Sequence, residues 1–186
     1  MLLMLPANPA RHRDGVSALV TARVAWLRGR GLSAPNGIAE TLAGQVGEPD
    51  WPVWVLEADG SVVGCTTVLS ECPAWAFTDQ EREQPSVFLA STWTLPSANR
   101  FGHSIARWAL DHAARTGRLY VRRGAFHPAL ADYYCRVQGW TLLREVERRG
   151  HTGYIMSRPA ERQPDLPVRT ATVPTATVPT ATGAGG

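Results

Sequence analysis

A short polar turn between an apolar stretch and a helical pattern is the part of this sequence best suited to chemistry. Residues 87–95 form the apolar stretch that meets Pro96, residues 97–104 form the turn, and a helical pattern covers about residues 105–116. The first N–H groups of a helix have no partner inside it, and the helix dipole attracts anions to that end. The sequence therefore predicts a strand–turn–helix unit that binds a small anion on the unpaired backbone amides where the helix begins.

The charge of this half of the chain fits an anionic ligand. All 19 basic residues of the 186-residue chain are arginine, and residues 100–149 hold ten of them against four acidic residues. Arginine binds phosphate groups through paired hydrogen bonds. The pattern favours a phosphate-bearing ligand, although a solvated basic face explains the same charge equally well.

The composition excludes several classes of chemistry. Because the chain contains no lysine, it can form no lysine Schiff base and carries no P-loop lysine. Cys65, Cys72 and Cys135 lack the spacing of zinc ligands. We therefore expect free thiols in a reducing compartment and no metal site.

The two ends of the chain are expected to lie outside the chemistry. The apolar stretch at residues 1–6 is too short for a signal peptide or a membrane span, so we expect a cytoplasmic protein. Beyond residue 160 the composition shifts to Thr, Ala, Val, Pro and Gly, which offer too little apolar surface to offset chain entropy. We predict one domain at residues 1–160 and a disordered tail at 161–186.

The elements that must position the turn follow from hydrophobic periodicity and turn signals. Before the turn, we predict an edge strand at 2–5, a helix opening at Asp14 or Ser17, a second helix at about 36–46, strands at 53–57 and 62–69 joined by an Asp59-Gly60 turn, and a loop or short helix at 70–86. After it, we predict a strand at 119–121, a helix at 128–137 and an antiparallel pair at 140–143 and 154–156.

The helix that follows the turn has the clearest amphipathic pattern in the chain. Its buried stripe is predicted to be Ile105, Trp108, Ala109 and Ala113. We expect Asp111 on the solvent face, where it can pair with Arg107 or Arg115 four residues away.

The order of elements and the turn resemble the GNAT (Gcn5-related N-acetyltransferase) superfamily. Its signature is a strand ending near a proline, then Arg/Gln-x-x-Gly-x-Gly/Ala, then a long helix. Here Pro96 is followed by Asn99-Arg100-Phe101-Gly102-His103-Ser104, with Gly102 at the first glycine position and Ser104 at the second. Asn99 replaces the usual Arg or Gln. A register two residues later fits the helix but loses the glycine.

A second motif strengthens the resemblance, which covers roughly residues 2–158. The family often shows Asn-x-x-Ala-x-x-Leu-Tyr-x-x-x-Gly-Phe after its fifth strand. Counted forward from His127, Tyr134 falls on that tyrosine; counted back from Gly139, Cys135 does. Residues 108–117 are also similar to actinobacterial members of the superfamily.

The resemblance implies an α/β (α+β) fold: a mixed, mostly antiparallel sheet of about six to seven strands, flanked by about four helices. It implies an N-acetyltransferase that moves the acetyl group of acetyl-CoA to a primary amine of a small molecule or peptide by direct attack, with Tyr134, or alternatively Cys135, protonating the departing thiolate. The residues expected to bind acetyl-CoA are Trp93, Thr94, Leu95, Asn99, Arg100, Phe101, Gly102, His103 and Ser104.

The acceptor side is less constrained by the sequence. The general base is expected among Glu71, Asp79, Glu81, Glu83 and His103, or is a water molecule. An aromatic acceptor wall is predicted from Trp51, Trp54, Trp75 and Phe77. An exposed edge of the final strand pair suits a homodimer.

Two other functions fit parts of the sequence. The departures from the motif fit a non-catalytic acyl-CoA-binding or partner-binding module on the same fold. The pairs Arg122-Arg123 and Arg148-Arg149 fit an arginine-rich nucleic-acid binder, whose affinity would fall steeply with salt. These pairs lack interleaved aromatic residues, so we expect neither a nucleic-acid nor a membrane partner.

Overall fold

One eight-stranded sheet organises the computed structural model, which describes residues 1–171. The strands are β1 (Leu2–Pro6), β2 (Val53–Ala58), β3 (Ser61–Leu69), β4 (Ser86–Thr94), β5 (Tyr120–Ala125), β6 (Thr141–Arg148), β7 (His151–Pro159) and β8 (Val168–Thr170). Their spatial order is β6-β7-β5-β4-β3-β2-β1-β8. Only the β4–β5 and β1–β8 pairs are parallel, which confirms a mixed, mostly antiparallel sheet with one strand more than predicted.

Five helices among the described residues cover the two faces of this sheet. They are α1 (Pro9–Arg28), α2 (Ile38–Gln45), α3 (Asp79–Glu83), α4 (Phe101–Arg115) and α5 (Pro128–Gln138). Gly64 of β3 faces Ile105 of α4, whereas the next residue, Cys65, packs in the cluster formed by α1 and α2. Because side chains alternate along a strand, α1 and α2 lie on one face and α4 lies on the other, where Tyr134 of α5 joins its core cluster.

The hairpin turns determine the lengths of the strand pairs. Asp59 and Gly60 have φ values of +50° and +82°, which confirms the turn predicted between β2 and β3. Arg149 and Gly150 have φ values of +50° and +78° and join β6 to β7 in the same way. The predicted final pair was too short because an Arg-Gly turn is a weak sequence signal.

Helix α1 begins earlier than the apolar pattern predicts. The side chain of Asn8 caps it by accepting from the N–H groups of Ala10 and Arg11, and the first turn is tied to β2 by polar contacts. Buried His12 accepts a hydrogen bond from the Asn8 N–H at its Nδ1 and contacts Glu57 Oε1 at 3.1 Å through its Nε2. Periodicity missed this turn because its buried residue is a histidine.

The predicted boundary at residue 160 is wrong, because residues 161–171 belong to the folded domain. Val168 is buried and β8 pairs in register with β1, so β1 is not an edge strand. The indole N–H of Trp108 donates to Thr170 Oγ1 at 2.9 Å. The burial of Val168 and the hydrogen bonds between β1 and β8 offset the loss of chain entropy on folding. The composition of this segment does not indicate these contacts. The rest of the predicted tail, residues 172–186, lies outside the described residues.

The same segment covers α4. Asp111 is only 5% exposed, because its carboxylate accepts from the Gln163 N–H at 2.9 Å and from Arg162, besides pairing with Arg115. The expected solvent position of Asp111 is therefore wrong, although its pairing with Arg115 is confirmed. The predicted buried stripe of α4 is also confirmed, with all four of its residues at 1% exposure or less.

Strand β6 forms the outer edge of the sheet beyond β7. Leu142 and Leu143 on it are 44% and 38% exposed, and pairing of this edge with a second copy stays a prediction. Within residues 1–171, no helix combines the length and apolarity needed to cross a membrane.

The contribution of β8 can be measured with two neighbouring substitutions. Val168→Ala should lower the free energy of unfolding by about 1–2 kcal/mol, because it removes buried methyl groups against β1. Arg169→Ala, at an exposed position of the same strand, should change it by less than about 0.5 kcal/mol. Chemical denaturation of both variants tests this, and equal effects would contradict the packing described for β8.

Candidate functional site

The two central parallel strands separate and leave an opening in the sheet. Strands β4 and β5 pair from Ser86 and Tyr120 up to Leu89 and Arg123. Beyond that rung, β4 continues to Thr94 beside β3, while β5 pairs with β7. Within the described chain, the last part of β4 therefore has a strand neighbour on one edge only.

The backbone of β4 presents polar groups to this opening. Thr67 pairs with Ser91 but Val68 pairs with Leu89, so Ala90 is an extra residue that forms a bulge. The Leu95 N–H donates to Val63 O at 3.0 Å. Because backbone groups alternate between the two edges of a strand, those of Thr94 and Thr92 point into the opening.

Of the three residues at the end of β4 and directly after it that were predicted to bind a ligand, the structure thus places one with its backbone at the opening. That residue is Thr94, whereas the backbone groups of Trp93 and Leu95 face β3, and the Trp93 side chain packs with α1 and α2. Thr92 was missed because the sequence does not show which edge of the strand each amide faces.

The turn after β4 leaves two helix amides free. Arg100 is the N-cap of α4, with a left-handed φ of +51°. The N–H groups of His103 and Ser104 donate to Arg100 O at 2.8 and 3.2 Å, so these two backbone groups are already paired, and ligand binding by the two residues stays a prediction. Within residues 1–171, the N–H groups of Phe101 and Gly102 have no acceptor. These two amides form the candidate anion site.

The remaining predicted member of the turn is also occupied. The Asn99 N–H donates to Ser97 Oγ at 3.1 Å, so its backbone supports the turn and does not extend the anion site. Buried Phe101 anchors the start of α4 in the core.

Gly102 is not required by the fold. Its φ is not left-handed, and a Cβ added there would meet no atom within 4 Å. Glycine inside a helix costs up to about 1 kcal/mol relative to alanine. Neither packing nor backbone geometry explains a glycine at position 102. Because its own N–H and that of Phe101 are free, the lack of a side chain suits a position that a ligand approaches closely.

The helix start is electropositive. Burial lowers the pKa of His103, and Arg107, Arg100 and Arg158 lower it further. A neutral imidazole among three guanidinium groups leaves a net positive field around the free amides. This field favours an anionic ligand.

Tyr134 lies on α5 at the base of the opening. Its side chain is 9% exposed, and its hydroxyl accepts a hydrogen bond of 2.7 Å from Arg123 Nη2, at the last paired rung of β5. Cys135 instead lines a separate groove of about 410 Å³ with Trp140, Leu142 and Tyr154. The structure therefore places Tyr134, and not Cys135, next to the end of the β4–β5 pairing.

The predicted carboxylate bases are not gathered at the opening. Arg144 binds both oxygens of Glu81, which also caps α3 with Thr78. Hydrogen bonding to Arg144 lowers the pKa of Glu81 to about 2. Glu81 is therefore a structural ion-pair partner and a poor proton acceptor.

The other three carboxylates line a groove of about 490 Å³. Its lining residues are Glu71, Cys72, Asp79, Arg82 and Glu83. They lie on the connection that enters β4 at Ser86, whereas the turn leaves β4 at Thr94. The fifth candidate base, His103, lies at the helix start.

The predicted aromatic wall is wrong, because its members are spread over the molecule. Trp54 packs against Trp108 of α4 at 4.8 Å between ring centroids. Phe77 is buried against Phe88, and Trp51 is 41% exposed. Because aromatic side chains have a large apolar area, burying them in the core stabilises the fold more than placing them at a surface would.

Trp75 forms a different aromatic pair. It stacks on Phe126 at 6.1 Å, and Arg148 lies 3.9 Å from its ring centroid. Phe126 directly follows β5 and is 54% exposed. The Trp75–Phe126 pair therefore lies beside the end of β5. The two residues are too far apart in the sequence for their spacing to predict this contact.

The pair Arg122-Arg123 does not form an exposed basic patch. Their side chains are 2% and 4% exposed, which removes this pair from the nucleic-acid-binding alternative. Among the described residues, no group of three or more His, Cys, Asp or Glu side chains is arranged to hold a metal ion.

Comparison with known proteins identifies the fold. The sequence matches no family model and no curated protein. An acetyltransferase of the GNAT family from Listeria monocytogenes superposes with a TM-score of 0.66 at 14% identity, covering 85% of this chain and 94% of that one. The chain therefore has the GNAT fold, as predicted.

Two further solved structures share this fold. An acetyltransferase from Salmonella typhimurium, solved with its cofactor acetyl-CoA, gives a TM-score of 0.56 at 15% identity and covers 89% of this chain and 97% of that one. An aminoglycoside 6'-acetyltransferase gives 0.59 at 14% identity, with 87% and 99% covered. These likenesses establish the arrangement of elements that surrounds the opening.

A glycine pair tests whether the turn binds a ligand. Gly102→Ala should raise the free energy of unfolding by up to about 1 kcal/mol through helix propensity, yet weaken acetyl-CoA binding, because its methyl group would lie where the ligand approaches. Gly44→Ala is the control: Gly44 is an exposed α2 residue whose added Cβ also meets no atom within 4 Å. It should stabilise similarly and leave binding unchanged. Calorimetric titration distinguishes them, and equal affinities would argue against the turn.

The Glu81–Arg144 ion pair predicts a specific acid response. A carboxylate whose pKa is lowered from 4.5 to about 2 adds stability that is fully present above pH 4.5 and is lost as pH falls towards 2. Glu81→Gln should therefore flatten the decline of the unfolding free energy across this window. Urea denaturation of both proteins at a series of pH values measures the difference. Parallel curves would show that the ion pair does not form in solution.

Proposed function

We propose that this chain is an N-acetyltransferase that transfers the acetyl group of acetyl-CoA to a primary amine of a small molecule or peptide. The observation that carries the proposal is the opening between β4 and β5, followed along the chain by a turn on which the amides of Phe101 and Gly102 have no acceptor within residues 1–171. The GNAT fold supports it, as does the structure with this fold that contains acetyl-CoA.

In this proposal the turn holds the pyrophosphate of acetyl-CoA. The N–H groups of Phe101 and Gly102 donate to phosphate oxygens at the positive end of α4. Arg100 and Arg107 supply part of the positive field. The proposed reaction uses no metal ion, since the guanidinium groups balance part of the phosphate charge and the amides donate hydrogen bonds to the phosphate oxygens.

The free edge of β4 aligns the thioester. The amide groups of the pantetheine arm pair with the backbone of Thr92 and Thr94, as an additional strand would. A backbone N–H beside the Ala90 bulge then donates to the thioester carbonyl oxygen. That hydrogen bond becomes stronger as negative charge develops on the oxygen in the transition state.

The chemistry proceeds by direct attack. The amine lone pair forms a bond to the thioester carbon, and the carbonyl electron pair moves onto the oxygen. When the carbonyl re-forms, the C–S bond breaks and its electron pair leaves with sulfur, which takes the Tyr134 hydroxyl proton. The attacking nitrogen loses a proton to water, and the tyrosine regains one from water. The products are the acetylated amine and CoA.

Water is the proposed proton acceptor for the amine, because Glu81 is held by Arg144 and the groove carboxylates lie on the connection before β4. The amine reaches the thioester from the face that carries Trp75, whose stack with Phe126 borders the end of β5.

A binding and turnover experiment tests the proposal. Acetyl-CoA and desulfo-CoA should both stabilise the protein thermally, by about 2.7 kcal/mol at one hundred times Kd. Release of CoA is then followed over a panel of primary amines that includes an aminoglycoside, since one structural neighbour carries that name. Binding without turnover would instead support an acyl-CoA-binding module, and absence of binding would reject both functions.

A pair of adjacent tyrosines tests the assigned acid. Tyr134→Phe should keep acetyl-CoA affinity and lower kcat about 100-fold, because the departing sulfur loses its proton donor. Tyr133→Phe, on the same helix but 36% exposed, should leave kcat unchanged. Steady-state kinetics with the best amine of the panel measures both. An unchanged kcat for Tyr134→Phe would remove this residue from the mechanism.

A further inference from the structure

Arg123 is a buried cation without an anionic partner. Its side chain is 4% exposed, and within residues 1–171 no carboxylate lies within ion-pair distance of it. Burial lowers the pKa of its guanidinium group, because desolvation disfavours the charged form. Placing an unpaired charge in a protein interior is costly, so its retention at the base of the opening calls for an explanation.

Two aromatic rings and one hydroxyl surround this guanidinium. Its carbon lies 3.7 Å from the ring centroid of Tyr134 and 5.4 Å from that of Trp140, which compensates part of the charge. Nη2 donates to the Tyr134 hydroxyl at 2.7 Å, and Nε has no partner within the described chain. Arg123 therefore holds that hydroxyl by a direct hydrogen bond, while Arg23 of α1 acts on Tyr134 only through its charge.

The direction of this hydrogen bond is determined by chemistry. A guanidinium group only donates, so the Tyr134 oxygen must be the acceptor. The single O–H hydrogen of the tyrosine is then directed to another acceptor. Among residues 1–171 no acceptor receives it, which leaves that hydrogen available to a group that enters the opening.

The neighbouring arginine shows a different arrangement. Arg122 is equally buried, but it donates to the Glu81 carbonyl, to Gln84 Oε1 and to Ser86 Oγ. Those bonds hold the connection that contains α3 against the sheet. Arg122 is thus bonded to structural acceptors, whereas the one acceptor of Arg123 in the described part of the chain is the hydroxyl group of the proposed acid.

We infer that Arg123 is a positioning residue that holds the Tyr134 hydroxyl with its hydrogen directed at the sulfur of the acetyl donor. This inference rests on the proposed acetyltransferase function. When the C–S bond breaks, sulfur keeps the electron pair and takes the tyrosine proton. The negative charge left on the tyrosine oxygen lies against the Arg123 cation until water returns a proton. Through this hydroxyl, Arg123 also favours negative charge on the departing sulfur.

The first test uses kinetics in two backgrounds. Arg123→Met should lower kcat about tenfold, with KM for acetyl-CoA within about twofold of wild type, because one charge-assisted hydrogen bond is lost. Arg123→Lys should recover most of the activity, since it keeps a cationic donor. Combined with Tyr134→Phe, Arg123→Met should cause no further loss. An equal tenfold loss in that background would overturn the inference, because Arg123 would then act independently of the hydroxyl.

The second test needs no acceptor amine, and its first measurement uses the wild-type protein alone. Thiolate absorbance of bound CoA is followed against pH, with desulfo-CoA as the blank. The wild-type protein should show thiolate at lower pH than free CoA does, and Tyr134→Phe and Arg123→Met should each reduce this difference. Arg122→Met is the control for loss of a buried arginine and should retain it.

The outcomes separate this inference from the proposed function. If wild-type protein binds no acetyl-CoA, the proposed function fails first. If it binds and turns over but the thiolate of bound CoA forms at the same pH as that of free CoA, only the role of Arg123 is overturned. Should Arg123→Met fail to fold, the wild-type thiolate titration still decides the question.

Discussion

The candidate site depends on the point at which two parallel strands stop exchanging hydrogen bonds. Strands β4 and β5 pair only as far as Leu89 and Arg123, and each then follows a different neighbour. Unpaired backbone N–H and C=O groups along one edge of β4 cost free energy. A ligand that forms hydrogen bonds with these groups would offset that cost. The bulge at Ala90 and the start of α4 both follow from this separation, because they lie on the stretch that leaves β5.

Arginine distribution is the second organising feature of the molecule. The connection before β4 is held by Arg122 of β5 and Arg144 of β6. Arg122 donates to the backbone carbonyl of Glu81 in α3, and Arg144 donates to the carboxylate of the same residue. At the start of α4, Arg100 and Arg107 have no carboxylate partner among residues 1–171. Arginine therefore stabilises the fold around α3, where the protein offers hydrogen-bond acceptors. At the start of α4 it creates a positive field. The sequence alone shows the excess of arginine but not this division.

Elements with a strong local signal were predictable, and those defined by distant partners were not. The Asp59-Gly60 turn and the buried stripe of α4 follow from propensity and periodicity. Strand β8 was missed because its stability comes from pairing with β1 and from Trp108, more than sixty residues away. The site shows the same limit: Gly102 was identified from its motif, but the edge faced by each β4 amide depends on register with β3. The sequence places Arg123 in an exposed basic pair, because it does not show which side of β5 is covered by α5.

In the proposed binding mode, acetyl-CoA lies along the free edge of β4 with its phosphates on the α4 amides, and amide chemical shifts report both contacts in one titration. The 20.2 kDa chain suits ¹H–¹⁵N correlation spectra recorded with increasing acetyl-CoA and, separately, ATP. The structure predicts that acetyl-CoA shifts the amides of Phe101 and Gly102 together with those of Thr92 and Thr94, while ATP shifts only the first two. Perturbations confined to the groove around Glu71 and Asp79, with these four amides unmoved, would contradict the account.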